Sequence, residues 1–114
     1  MNWRQRLGRW GEDIAAAHVV AAGCVLLCRN CRTRFGEVDL LVRDGAETVL
    51  IEVKTRSSGR CGSGCEAIDR RKRLRMRRLA GYLGLSDARV RFDVIAVERG
   101  ARGEANVNWL KGAF

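Results

Sequence analysis

The stretch EVDLLVRDGAETVLIEVKTR, residues 37–56, decides the fold. Two apolar runs, VDLLV and TVLIEV, flank Asp44-Gly45. That dipeptide favours the positive φ of a tight hairpin turn, so the runs read as two antiparallel strands. Each run also carries charges that apolar neighbours make costly: Asp39 in the first, Glu52 and Lys54 in the second. Side chains alternate faces along a strand. Glu52 and Lys54 therefore share one face, and Ile51 and Val53 take the other. Asp39 is out of phase with Val38 and Leu40. Folding about Asp44-Gly45 lets Asp39 and Glu52 meet on one face of the sheet.

Upstream, Leu7, Trp10, Ile14, Ala17 and Ala21 recur at three and four, the period of a helix face. Gly23 supplies a stop, so a first helix is predicted from about Trp3 to Ala22. CVLLCRN then reads as a strand, with CRTRFG as the turn leading into EVDLLV. Downstream, the Gly/Ser-rich loop SSGRCGSG, residues 57–64, precedes a second helix from about Cys65 to Leu83. Ile68, Lys72, Met76, Leu79, Ala80 and Leu83 share its inward face, and Gly84 ends it. RVRFDVIAVE and NVNWL are the last strands. The expected class is α/β in the order α-β-β-β-α-β-β, a central mixed sheet flanked by helices. No composition break divides the 114 residues, so 1–114 is expected to be one domain.

Hydrophobic residues make up 46%, which excludes a disordered chain. Glu12 and Asp13 interrupt the N-terminal apolar stretch, which lacks the long core of a signal peptide. No apolar run reaches about 18 residues, so no membrane span and a cytoplasmic location are expected. Twenty-two Lys and Arg against 13 Asp and Glu give +9. A basic composition also follows from a GC-rich genome, but here the charge is clustered. Arg70, Arg71, Lys72, Arg73, Arg75, Arg77 and Arg78 crowd one helix. Like charges at helical spacing repel by a few tenths of a kcal/mol per pair. An anionic partner relieves that, and the planar guanidinium suits phosphate oxygens. Arg71, Arg75 and Arg78 follow at four and three and share one face.

Two carboxylates about 4 Å apart repel by roughly 4 kcal/mol at an effective dielectric near 20. Lys54 offsets part of that, and a hard divalent cation, Mg²⁺ or Mn²⁺, would offset the rest. The alternative is a metal-free ion pair of Lys54 with one of the acids, a poor stabiliser beside apolar substitutes. A metal held by two acids beside a lysine suits phosphodiester hydrolysis, and the basic surface supplies a place for nucleic acid.

With those residues in view, the chain resembles a known group. GEVDLLV followed by VLIEVKTR is similar to the core of the PD-(D/E)xK nucleases. GRWGED, CRNCRTRFGEVDLLV, IEVKTR, the Lys72 helix, RFDVIAV and the final AF together resemble the YraN family of small bacterial predicted endonucleases. The resemblance implies a restriction-endonuclease-like fold and an Mg²⁺-dependent endonuclease acting on DNA, selective for branched or structured forms. The alternative is a nucleic-acid-binding module that keeps the fold without turnover. By position, Asp39 and Glu52 would be metal ligands and Lys54 the motif lysine. Glu12 matches an additional helical glutamate that joins the site in resolvase-like members. Val38 stands where the superfamily name has proline. Double-strand cutting would call for two sites, hence a homodimer.

Other residues carry weaker signals. Glu12 also reads as a solvated acid near the helix start. Lys72 either buries its stem or reaches a phosphate. Arg56 falls at a strand end where it can meet a phosphate. Asp93 reads as structural, His18 as a surface or packing residue, and Trp3, Trp10 and Trp109 as core. Cys28 and Cys31 with Cys61 and Cys65 match a zinc spacing, but free thiols packing as small apolar residues are expected instead.

Overall fold

The computed structural model describes residues 1–57, 70–84 and 89–113. Its elements are α1 (Trp3–Ala21), β1 (Val25–Thr33), β2 (Gly36–Asp44), β3 (Glu47–Ser57), α2 (Arg70–Tyr82), β4 (Val90–Arg99) and β5 (Ala105–Leu110). The expected order α-β-β-β-α-β-β is observed. Residues 65–69 of the predicted second helix, and with them Ile68, lie outside the described residues. So do 58–64 of the Gly/Ser loop.

The α1 helix begins where Asn2 and Gln5 cap each other. Gln5 N–H donates to Asn2 Oδ1 at 2.9 Å, and Asn2 N–H to Gln5 Oε1 at 3.0 Å. This satisfies two amides the first turn would leave open. The helix ends at Gly23, whose φ of +96° an L side chain rarely adopts. There Cys24 N–H bonds Val19 C=O and Gly23 N–H bonds Val20 C=O, the paired closure that a left-handed glycine permits.

The five strands form one mixed sheet in the order β1-β2-β3-β4-β5. β1–β2, β2–β3 and β4–β5 are antiparallel, and β3–β4 is parallel. The Asp44-Gly45 hairpin is present, with Asp44 opposite Glu47 and Gly45 at φ +61°. The other predicted turn is shorter than CRTRFG: β1 continues to Thr33, and Arg34-Phe35 alone join it to Gly36.

Each face of the sheet has its own core. Val49, Ile51, Leu40 and Val42 pack with Ala15, Ala16 and Val19 of α1, while Leu50 and Val38 pack with Met76, Leu79 and Ala80 of α2. Fully burying each such Leu, Ile or Val contributes about 1.5–3 kcal/mol. The face of α1 is rotated from the predicted one. Gly11, Ala15, Ala16 and Val19 are buried, Trp10 and Ile14 partly so, and Ala17 and Ala21 are exposed. The reason is close approach: a Cβ on Gly11 would lie 2.6 Å from Thr55 Cγ2 on β3. Small residues, not the larger ones, set the helix-to-sheet contact. Trp3, expected in the core, is 46% exposed at the helix start. Trp10 and Trp109 do pack on the α1-side core.

Asp93 is fully buried and structural. Its carboxylate accepts from Arg91 Nε at 3.0 Å, Trp109 Nε1 at 2.8 Å and Gly112 N–H at 2.9 Å. Arg91 also reaches Asp44 at 2.9 Å and Glu47 at 3.0 Å. This network ties the β2–β3 hairpin to β4, β5 and the turn after β5. His18 is exposed and meets Trp109 edge-on. No described helix is long and apolar enough to cross a membrane.

Candidate active site

The β2–β3 ladder runs from Asp44↔Glu47 to Leu40↔Ile51, one residue short of Asp39 and Glu52. β3 continues to Ser57 paired with β4 alone on that side. The strands part at Asp39, and Asp39 Oδ2 accepts the Val53 N–H at 2.8 Å in place of a ladder bond. Strict alternation also breaks here. Val38 belongs to the α2-side core and Leu40, two residues on, to the α1-side core. The carboxylate is thereby carried into the fork between the strands.

The fork opens on two clefts that share Asp39. The larger, about 520 Å³, is walled by Glu12, Asp39, Lys54, Thr55 and Arg56, with Trp3 and Arg4 at its helix side. The smaller, about 70 Å³, is walled by Glu37, Asp39, Glu52 and Arg75. Glu12, Asp39 and Lys54 thus meet in one cleft, and Asp39 and Glu52 in the adjoining one. Glu52 does not wall the larger cleft. Glu37 is absent from the sequence-based set, and Arg75, expected only to meet a phosphate backbone, also walls the acidic cleft. Glu37 was signalled by its two-residue spacing from Asp39, which in a regular strand would put both on one face. Arg75 had no such signal, because nothing in sequence docks α2 against Gly36, where Arg75 Cδ lies 3.0 Å from a would-be Cβ.

Charge is concentrated at the fork. Burial, followed by the like charges of Glu12, Glu52 and Glu37, pushes the Asp39 carboxyl from an ordinary 3.8 up to about 6, against the opposing Val53 N–H. Glu12 stands 4.0 Å from Arg29 of β1, which Asp13 holds at 2.7 Å. Asp39, Glu52 and Glu12 supply only hard oxygen donors, the chemistry that Mg²⁺ or Mn²⁺ prefers. A cation there would also relieve the crowding around Asp39. Among the described residues, however, no three Asp, Glu, His or Cys side chains stand as a ready-made metal-binding group. The acids are neighbours of one carboxylate, not a closed cage.

On α2, Arg71, Arg75 and Arg78 line one groove, as their spacing predicts. Arg73 and Arg77 are exposed. The side chains of Arg70 and Lys72 lie outside the described set. Met76, Leu79 and Ala80 are buried, and Leu83 partly so. The cysteine expectation needs correction: Cys28 and Cys31 are joined in a disulfide, not free. A positive φ at Asn30, which lies between them, interrupts the regular alternation of the strand. Paired thiols cannot serve as zinc thiolates, and Cys61 and Cys65 lie outside the described residues. Cys24 is free and buried.

A sequence profile of the uncharacterised protein family UPF0102 matches residues 11–97, a span holding Glu12, Asp39, Glu52, Lys54 and all of α2. A UPF0102 protein of Frankia alni is 48% identical over 118 residues, covering 100% of this chain and 98% of its own. One from Moorella thermoacetica is 47% identical, with 97% of each chain covered. One from Symbiobacterium thermophilum is 40% identical, covering 96% and 97%. The chain belongs to the UPF0102 family.

Proposed function

We propose that this protein is a metal-dependent endonuclease that hydrolyses phosphodiester bonds in DNA, a member of the PD-(D/E)xK group in its YraN branch. The observation that carries this reading is the fork. One half-buried carboxylate, Asp39, is crowded by Glu12, Glu52 and Glu37 and shares an open cleft with Lys54. Such crowding is costly in a resting protein and useful where a cation and a phosphate must be bound together.

In the reaction, a water oxygen forms a bond to phosphorus, the bond to the ester oxygen breaks, and that oxygen gains a proton. Mg²⁺ or Mn²⁺, held by Asp39 and Glu52 with Glu12 beside them, would supply Lewis acidity toward a phosphoryl oxygen and lower the pKa of a water. Lys54 would place its ammonium where negative charge builds on the phosphoryl oxygens. Arg56 lines the same cleft and can meet a neighbouring phosphate. The Val53 N–H fixes the Asp39 carboxylate, so the acid stays oriented without its strand ladder. Arg71, Arg75 and Arg78 would hold the backbone.

A second reading, a nucleic-acid-binding module without turnover, draws on one observation: the acids do not stand as a closed metal group among the described residues. The two are separated by incubating the protein with duplex, single-stranded, flap and four-way-junction DNA, and RNA, in Mg²⁺ and in Mn²⁺. Cleavage of any of these, absent in EDTA, supports the nuclease. Binding without cleavage in either metal supports the module.

A further inference from the structure

The Arg34-Phe35 turn stands beside α2, and the surface there combines features that rarely coincide. Phe35 is 42% exposed, Leu74 51% and Tyr82 55%. The Phe35 and Tyr82 rings meet edge-to-face, with centroids 5.5 Å apart. The Arg34 guanidinium lies 5.8 Å from the Phe35 centroid. Leu74 and Phe35 line a groove of about 340 Å³ together with Arg71, Arg75 and Arg78. Arg75 also walls the cleft that holds Asp39 and Glu52. The groove and the fork therefore share the Arg75 side chain as a common wall.

A surface that only gripped duplex phosphates would need the arginines and no aromatic rings. An apolar docking face would need the rings and would not be ringed by guanidinium groups. A strand with unpaired bases needs both, because it offers phosphates and open π-faces side by side. A duplex keeps its bases stacked inside and presents mainly backbone. We propose that this groove binds an unpaired segment of a nucleic-acid strand. Separate bases would stack on Phe35 and Tyr82, whose ring planes stand 75° apart, and the flanking phosphates would meet Arg71, Arg75 and Arg78. This inference rests on the nuclease reading for its purpose and deepens it. The substrate would be a strand that is single, flapped or locally opened, delivered past Arg75 to Asp39.

The test is equilibrium binding in EDTA, where no metal-dependent cleavage competes. The probes are a fluorescent oligothymidylate of about 15 nucleotides and an abasic strand of the same length and charge. The wild-type protein is expected to bind the base-bearing strand about 10-fold tighter than the abasic one. The Phe35→Ala/Tyr82→Ala protein is expected to bind both alike. Tyr82→Phe keeps a ring and is expected to keep the preference, which separates stacking from folding. Equal binding of both strands by the wild type overturns the proposal, as does an unchanged preference in the double variant. Asp39→Asn distinguishes this inference from the nuclease reading, since it is expected to keep the base preference and lose cleavage. A protein that cuts DNA but shows no base preference refutes the groove alone. One that prefers bases but never cuts in Mg²⁺ or Mn²⁺ refutes the nuclease alone.

Discussion

In metal-free protein, the Asp39 carboxylate opposes folding, and the size of that effect follows from its surroundings. Its carboxyl titrates at about 6 in the fold, against an ordinary 3.8. Between these values the folded state holds more protons than the unfolded chain, so stability falls as pH rises. Below about pH 4 both states are protonated and the penalty is absent; above about pH 6 it is complete. At about 1.4 kcal/mol per pH unit the gap corresponds to about 3 kcal/mol, and solvent access at the cleft reduces this to about 2. Asp39→Asn removes the charge, keeps the shape, and leaves an amide oxygen to accept the Val53 N–H. In EDTA at about pH 8 the variant is expected to be about 2 kcal/mol more stable than wild type, a rise in Tm near 10 °C. At about pH 4 the two are expected to unfold alike. Urea titration followed by circular dichroism at several pH values reads this directly. Added Mg²⁺ is expected to stabilise the wild type by mass action and leave the variant unmoved. A variant no more stable than wild type at about pH 8 would refute the account of charge crowding at the fork.

Gly11→Ala places a Cβ against the Thr55 side chain and is expected to cost about 1–3 kcal/mol in urea unfolding. Thr55→Ala in the same protein is expected to recover part of that, since the Oγ1 and Cγ2 overlap goes while the Cβ contact at 2.8 Å stays. Trp109→Phe removes the indole N–H from the buried Asp93 carboxylate and is expected to cost about 1–3 kcal/mol, read as a lowered denaturation midpoint. Neutralising Arg71, Arg75 and Arg78 together is expected to weaken binding to every DNA sequence alike and to flatten its salt dependence. A protein meeting about 6 phosphates loses roughly 10³-fold in affinity between about 50 and 200 mM salt. Unchanged slopes in the triple variant would move the nucleic acid to another surface, the one carrying Arg29, Arg32 and Arg34.

Local chemistry carried most of the fold into the sequence. Asp44-Gly45 announces its hairpin because few dipeptides tolerate that turn, and Gly23 announces a helix end for the same reason. The phase of α1 did not show, because Gly11 is buried by contact with Thr55 and not by its own hydrophobicity. The break in β2 was hidden too. Alternation assumes a continuous ladder, whereas the pairing ends at Leu40 and Asp39 turns into the fork. At the site, Asp39, Glu52 and Lys54 stood out as charges within apolar runs. Arg75 was legible only as one of several arginines, since its place in the acidic cleft depends on how α2 docks. The disulfide was equally hidden: a three-residue spacing puts two side chains on opposite faces of a regular strand, and the positive φ at Asn30 between them breaks that regularity.

The most direct test of the nuclease reading is cleavage of a labelled flap DNA by wild-type and Asp39→Asn protein, each purified free of contaminating nucleases, in Mg²⁺, Mn²⁺, Ca²⁺ and EDTA. The reading predicts turnover by wild type in Mg²⁺ or Mn²⁺, binding alone in Ca²⁺, and none in EDTA. Asp39→Asn should be at least about 100-fold slower, a loss of roughly 3 kcal/mol of transition-state stabilisation. Cleavage by Asp39→Asn at the wild-type rate, or full activity in EDTA, would contradict it.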